Sequence, residues 1–258
     1  MLIAAFVFFG AWREVAFQRR REVWRGHGMS KSPSPRLLAV CDSVPQGSRP
    51  VDVGSQHGMV PLRLLQGGHV TGCFATEVHS SRYQGSRTQP GLRLRFGDGL
   101  QALEPGDAFD TLIVAGMGAR TCLRILDHPR VLASSPFLVL QPQTEWARVR
   151  GWLLDRGFGL RRERLVSDAG RDYLILAAER RSDAGAEYRE GPLDRTDLLA
   201  AGPLLMCDPD PTFVRHWRRR RTRALATLRR TTPGPGRESV EREAALAGRV
   251  LGVLAAKL

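Results

Sequence analysis

The stretch Val51-Asp52-Val53-Gly54-Ser55-Gln56-His57-Gly58 decides the fold. A short apolar strand runs into an Asp-x-Gly turn, and residues 59–66 continue with helical spacing, Pro61 early and Gly67-Gly68 behind them. Gly54 permits a tight turn and a close approach of the backbone to a ligand. A dinucleotide site would carry three glycines in a G-x-G-x-x-G arrangement to seat a pyrophosphate. This turn lacks them, so it suits a ligand without phosphates.

Outward from this turn the chain alternates helix and strand. Ser34 caps a helix with Pro35 at its first position, and Leu37, Leu38, Cys41 and Val44 form an apolar stripe that Pro45 and Gly47 stop. Strands are expected at 50–54, 70–77, 92–98, 109–116 and 137–141. Runs apolar on both faces that alternate with helices predict a mainly parallel sheet covered on both sides, an α/β Rossmann-like fold. A last pair, 161–166 and 173–179 across the turn 167–172, reads as antiparallel. Five parallel strands followed by such a hairpin are the layout of many methyltransferases.

Ligands of open α/β sheets bind at the carboxyl ends of the strands. The second strand ends in Glu77, whose carboxylate can accept two hydrogen bonds from a ribose, and the third ends Gly97-Asp98-Gly99, where Asp98 can hold an adenine amino group. Asp and Gly after a strand are commonly mere turn formers. Three such ends in order carry more, and Asp52, Gly54, Glu77 and Asp98 together read as a site for S-adenosyl-L-methionine, with Ser55, Gly99, Ala115 and Gly116 beside them.

The composition fits a globular chain. At 258 residues, 42% hydrophobic and 25% charged, it excludes a disulfide-stapled miniprotein, a disordered tail and a polytopic membrane protein. The four cysteines stand at neither metal-ligand nor redox spacing, which predicts a reduced cytoplasmic protein without a metal site. The apolar run 1–10 precedes its arginines, the reverse of a secretory signal, and is too short to cross a bilayer. Residues 1–28 are therefore expected to be an extension or a mis-assigned start, 29–190 a methyltransferase domain, and 191–258 a C-terminal helical hairpin.

Thirty-nine basic residues against 26 acidic ones give a formal charge of +13, which points to a polyanionic partner. Lys31 and Lys257 are the only lysines, a bias that codon usage alone can produce. The charge is concentrated nonetheless: residues 213–230 hold Arg215, Arg218, Arg219, Arg220, Arg221, Arg223, Arg229 and Arg230 and no acid. After the breaker 232–236, Val240, Ala244, Ala247, Leu251, Leu254 and Leu258 alternate spacings of four and three, a heptad seam. Val214, Trp217, Ala224 and Leu228 give the preceding helix a matching stripe, interrupted by Arg221. Eight like charges on one helix repel, and an acidic partner relieves that repulsion, so these arginines are expected to contact nucleic acid. The competing expectation is a homodimer through the seam.

With these residues in view, the chain resembles the bacterial tRNA (adenine(22)-N(1))-methyltransferases of the TrmK type over nearly all of 30–258. The resemblance lies in Pro35-Arg36-Leu37-Leu38, in Asp52-Val53-Gly54-Ser55-Gln56-His57 with Pro61, in Gly97-Asp98-Gly99-Leu100 and in Ile113-Val114-Ala115-Gly116-Met117-Gly118. It continues through Leu140-Gln141-Pro142-Gln143, Arg150-Gly151-Trp152-Leu153, Tyr173 and Gly202-Pro203-Leu204-Leu205. It implies methyl transfer from S-adenosyl-L-methionine to N1 of an adenine at position 22 in the D-arm, with Gln56, His57, Met117 and Gln143 at the catalytic positions. The N1 lone pair attacks the sulfonium methyl directly, and the adenine becomes cationic, so a carboxylate beside it stabilises the transition state. Gln56 stands where the family has that Asp, Gln143 where it has Asn, and Ala119 where it has a glycine. Gln56 still accepts a hydrogen bond but brings no charge. Two readings follow: an active tRNA methyltransferase, or a noncatalytic homologue that binds cofactor and RNA. A small-molecule methyltransferase is disfavoured by the arginine helix.

Overall fold

The computed structural model describes residues 34–81, 83, 89–189 and 191–257. The expectations for residues 1–28 and for Leu258 lie outside them.

The Ser34 hydroxyl accepts a hydrogen bond from the Leu37 amide at 3.3 Å and starts α1 (Pro35–Cys41). The helix stops before Val44, which is buried but non-helical. Pro45 disfavours helical backbone at the residue before it, and the Ser43 hydroxyl donates to the Ala39 carbonyl at 2.7 Å. The chain then runs through β1 (Pro50–Val53), α2 (Met59–Gln66), β2 (Cys73–Glu77), β3 (Leu92–Phe96), β4 (Thr111–Met117), α3 (Ala119–Leu126), α4 (Pro129–Ser134), β5 (Phe137–Pro142) and α5 (Trp146–Asp155) to the hairpin β6 (Phe158–Asp168) and β7 (Arg171–Arg180).

The strand order is β3-β2-β1-β4-β5-β7-β6. The first five strands are parallel, and β7 pairs antiparallel with both β5 and β6. The chain reverses its winding between β1 and β4, and that crevice is where a ligand enters such a sheet. Period-two alternation fills both faces. Leu112, Val114, Leu138 and Leu140 point to one layer with Cys122, Leu126, Val149 and Leu153, whereas Ile113 and Val139 point to the other with Val40, Cys41, Val60 and Leu64.

The hairpin is longer than its sequence implies. Only Ala169 and Gly170 turn, with φ of +47° and +78°, and Ser167 pairs with Asp172 across the strands. Both central residues take the left-handed conformation that a two-residue hairpin turn demands. The polar run 167–172 reads as loop, yet its outer residues bond each other, Ser167 Oγ donating to Asp172 Oδ1 at 2.6 Å.

Beyond the sheet come α6 (Arg195–Ala201), α7 (Pro203–Cys207), α8 (Pro211–Leu228) and α9 (Pro235–Ala255). The last two pack against each other as a helical hairpin. α9 begins inside the Pro-Gly breaker because Pro235 occupies its first turn, where the missing N–H costs nothing. Phe213, Val214, Trp217, Ala247, Val250 and Leu254 join the same apolar core as the sheet and α5. Beneath that junction Arg150 and Glu163, both side chains fully buried, form an ion pair at 2.6 Å. Arg150 also donates to the Leu199 and Ala200 carbonyls, and Glu163 accepts from the Leu204 and Leu205 amides.

Candidate active site

The turn after β1 is closed by its own backbone. The Gly54 and Ser55 amides donate to the Thr76 carbonyl at 2.9 and 3.0 Å, and the Gly58 amide donates to the Ser55 carbonyl at 2.8 Å. Gly54 has φ +74°, a left-handed conformation that favours glycine, and Met117 Cε lies close to where a Cβ would stand.

Two cavities adjoin at Gly54. The larger, about 370 Å³, is lined by Arg36, Asp52, Gly54, Ser55, Gln56, His57, Met59, Ala115, Gly116 and Gln143 among others. Its floor is buried Asp52 and Ser55, and exposed Gln56, His57 and Gln143 form its rim. The smaller, about 110 Å³, holds Thr76, Glu77, Gly97, Asp98, Gly99, Met117, Thr121 and Arg124. The smaller cavity brings together Glu77, Asp98 and Gly99, expected at ribose and adenine, with Met117, expected at the catalytic position; the larger brings Gln56, His57 and Gln143, expected at the target base, together with Asp52, Ser55, Ala115 and Gly116, expected at the cofactor. Met117 sits on the smaller side, packed against the main core, and its carbonyl accepts from the Gln143 amide at 2.8 Å.

The polar groups differ in readiness. Burial pushes the Asp52 carboxyl up to about 7, with the nearby Ser55 hydroxyl pulling the other way. Glu77 is buried at the end of β2, and its Oε1 accepts from the Val78 amide at 2.9 Å. Asp98 is exposed and faces the Arg124 guanidinium at 3.5 Å. His57 makes no hydrogen bond to the described residues.

The group that such a cavity pair would hold is an adenosyl sulfonium amino acid, and the residues fit it. The Thr76 hydroxyl is buried beside Glu77 with no hydrogen-bond partner among the described residues, an unmet donor in the smaller cavity. Gly99, at φ +58°, lines that cavity. Among the described residues no group of His, Cys, Asp and Glu can hold a metal ion, and no helix is long and apolar enough to cross a membrane.

Sequence reasoning missed the support of this site. Gln141 Oε1 accepts from the Gly116 amide and from Arg36 Nη1, each at 3.0 Å, and the Arg36 guanidinium lies over the Tyr173 ring at 5.3 Å. Arg36, Gln141 and Tyr173 carried only family resemblance, because no spacing rule joins a helix start, a strand end and a hairpin. Thr121 and Arg124 were missed for the same reason.

The arginines of α8 lie outside both cavities. Arg219 pairs with Asp172, while Arg220 pairs with Glu243 at 3.1 Å and covers the Trp217 ring at 4.6 Å. Arg215 donates to Thr212. Arg218, Arg221, Arg223, Arg229 and Arg230 are exposed and make no ion pair with the described residues.

Comparison with known proteins follows the same lines. The methyltransferase-domain family matches residues 33–176. The tRNA (adenine(22)-N(1))-methyltransferase of Bacillus subtilis (strain 168) is 29% identical over 195 residues, which cover 71% of this chain and 79% of that protein. Among solved structures, Streptococcus pneumoniae Sp1610 in complex with S-adenosyl-L-methionine superposes with a TM-score of 0.69 at 29% identity, covering 84% of this chain and 98% of that one. The B. subtilis m1A22 tRNA methyltransferase TrmK gives a TM-score of 0.73 at 22% identity over 85% of this chain and 99% of that one, a likeness of fold. With more than half its length matched, and with the strand order and strand-end carboxylates in place, the chain belongs to the methyltransferase-domain family and is similar within it to the tRNA (adenine(22)-N(1))-methyltransferase of B. subtilis.

Proposed function

We propose that this chain transfers the methyl group of S-adenosyl-L-methionine to N1 of an adenine in tRNA, at position 22. The observation that carries the reading is the meeting at Gly54 of a carboxylate-lined cavity with a larger, open-rimmed one. The B. subtilis relative has this activity in its name, and Sp1610 was solved with this cofactor.

The cofactor supplies an electrophilic methyl group on its sulfonium. Glu77 is suited to accept the ribose hydroxyls and the Thr76 hydroxyl to add a donor, while Asp98 must leave Arg124 to accept an adenine amino group. Asp52 and Ser55, at the floor of the larger cavity, suit the ammonium end. Gln56 and Gln143 on the rim can hold the target base by its amine and ring nitrogen, which requires that the base be unstacked from the RNA. The base N1 needs no proton removed, so no residue is required as a general base. His57 lines the larger cavity and Met117 the smaller.

The exposed arginines of α8 are suited to the phosphates around that base, and action on tRNA implies a cytoplasmic setting. A homodimer through the helical hairpin is the lesser alternative, since Ala247 and Leu254 of the seam are already buried within the chain.

The test is methyl transfer to an unmodified tRNA transcript, with the product nucleoside identified and mapped by mass spectrometry. N1-methyladenosine at one site supports the reading. Cofactor and tRNA binding without product would instead establish the noncatalytic homologue, with Gln56 as the first residue to examine.

A further inference from the structure

Among the described residues Arg36 is the one arginine or lysine that lines the larger cavity, and the one carboxyl in that lining, Asp52, is buried on its floor. Its Nη1 donates to the Gln141 amide oxygen at 3.0 Å, and its guanidinium lies over the Tyr173 ring at 5.3 Å. Among the described residues it forms no ion pair with a carboxylate. Three elements, α1, β5 and β7, therefore hold one guanidinium in place without cancelling its charge.

We infer that Arg36 is the phosphate anchor of the target nucleotide, gripping a backbone phosphate of the RNA while the base enters the cavity. The inference rests on the tRNA reading above and adds to it a contact that orients the substrate. A fixed, half-buried guanidinium with uncommitted donors matches phosphate geometry. Its charge also argues against a place beside the reacting ring, because methylation makes the base cationic and a nearby cation would oppose that. The positive charge is tolerable on the phosphate side of the nucleotide and costly on the base side. The cofactor's carboxylate is the other anion within range. Burial sorts the two, since Asp52 and Ser55 lie on the floor whereas half-exposed Arg36 shares the rim with Gln56 and Gln143.

The test compares the full-length protein with Arg36→Ala and Arg36→Lys. Initial rates would be measured against unmodified tRNA transcript from 50 to 200 mM KCl, and S-adenosylhomocysteine affinity by calorimetry. Arg36→Ala should raise KM for tRNA about tenfold at low salt and lower the salt slope by about 0.7 to 0.9, the release of one counterion. Its affinity for S-adenosylhomocysteine should stay within about twofold of the parent. Arg36→Lys should keep the salt slope and recover part of the loss, since it restores the charge without the fork. A loss of S-adenosylhomocysteine affinity would assign Arg36 to the cofactor, and an unchanged salt slope would make it a structural prop; either result overturns the inference. If the parent protein itself methylates no tRNA, the underlying reading fails, and the anchor with it. A parent that methylates tRNA and an Arg36→Ala variant that matches it would sink the anchor alone.

Discussion

Asp52 and Gln56 stand four residues apart and divide the polar lining of one cavity, the carboxylate on its buried floor and the amide on its exposed rim. Burial disfavours the ionised form of Asp52, so the folded chain keeps its proton to about pH 7, whereas the unfolded chain releases it near 3.8. Between those values the folded state binds more protons, so stability falls as pH rises through the window, and the cost is complete above pH 7. Asp52→Asn abolishes that titration. Its stability relative to the parent should improve by a few kcal/mol between pH 4 and pH 8, read from urea midpoints, and parallel curves would refute the assignment. At Gln56 the missing charge is kinetic in effect. Gln56→Asp places a negative charge where the base becomes positive, and single-turnover methyl transfer should rise by about 10²-fold with tRNA and cofactor affinities little changed. Equal rates for the two proteins would show the amide to be no handicap. Asp52 stood out in the sequence because it sits at the end of a strand before a glycine turn, and Gln56 only through the family resemblance. Arg36 did not stand out, since its meaning comes from Gln141 and Tyr173, residues far away along the chain.

The two C-terminal helices illustrate what spacing can and cannot give. Heptad arithmetic marks Ala247 and Leu254, which are buried, and Leu251, which is half-buried against the same core, but not Val250, which the helix buries fully. α9 rests on α6 as well as on α8, with Arg249 paired to Asp197 at 2.6 Å, so its covered face is wider than a two-helix seam. Charge counting likewise gives eight arginines without ranking them. His216 Nδ1 lies 2.8 Å from Asp172 Oδ2 and its ring stacks on Trp146 at 5.3 Å, so this part of α8 is clamped to the start of β7 and to α5, and Arg219 is spent there. Arg220 is likewise engaged with Glu243 and Trp217. Replacing Arg218, Arg221 and Arg223 together by Ala should therefore weaken tRNA binding and lower its salt slope by about 2 to 3, with the melting temperature unchanged. Arg220→Ala should do the opposite, lowering thermal stability with a small effect on the slope. Filter binding at several salt concentrations beside thermal melts separates the two, and a triple variant with the parent's slope would remove α8 from the RNA path.

Across the whole molecule the sheet was the easiest part to foresee, because apolar runs alternating with helices admit few other arrangements. How the C-terminal helices are fastened to it was hidden, since a buried Arg and Glu thirteen residues apart look like surface charges in a sequence. The pair joins α5 to β6, and its remaining hydrogen bonds go to carbonyls of α6 and amides of α7, so it locks the methyltransferase sheet to everything that follows. Phe213, Trp217, Val250 and Leu254 continue the same core into the helical hairpin. Sheet and hairpin should therefore unfold as one cooperative unit. Glu163→Gln keeps the size and one acceptor but leaves Arg150 buried without its counter-charge, which should cost about 3 to 5 kcal/mol. Adding Arg150→Met removes the stranded charge and should recover part of that loss, although the Leu199 and Ala200 carbonyls then lack their donor. Calorimetry of the three proteins decides the matter: the shared core requires a single transition that moves down with Glu163→Gln and partly back in the double variant. An early, separate melting of the hairpin in the parent would mean that the ion pair and the continuous core do not couple the two halves.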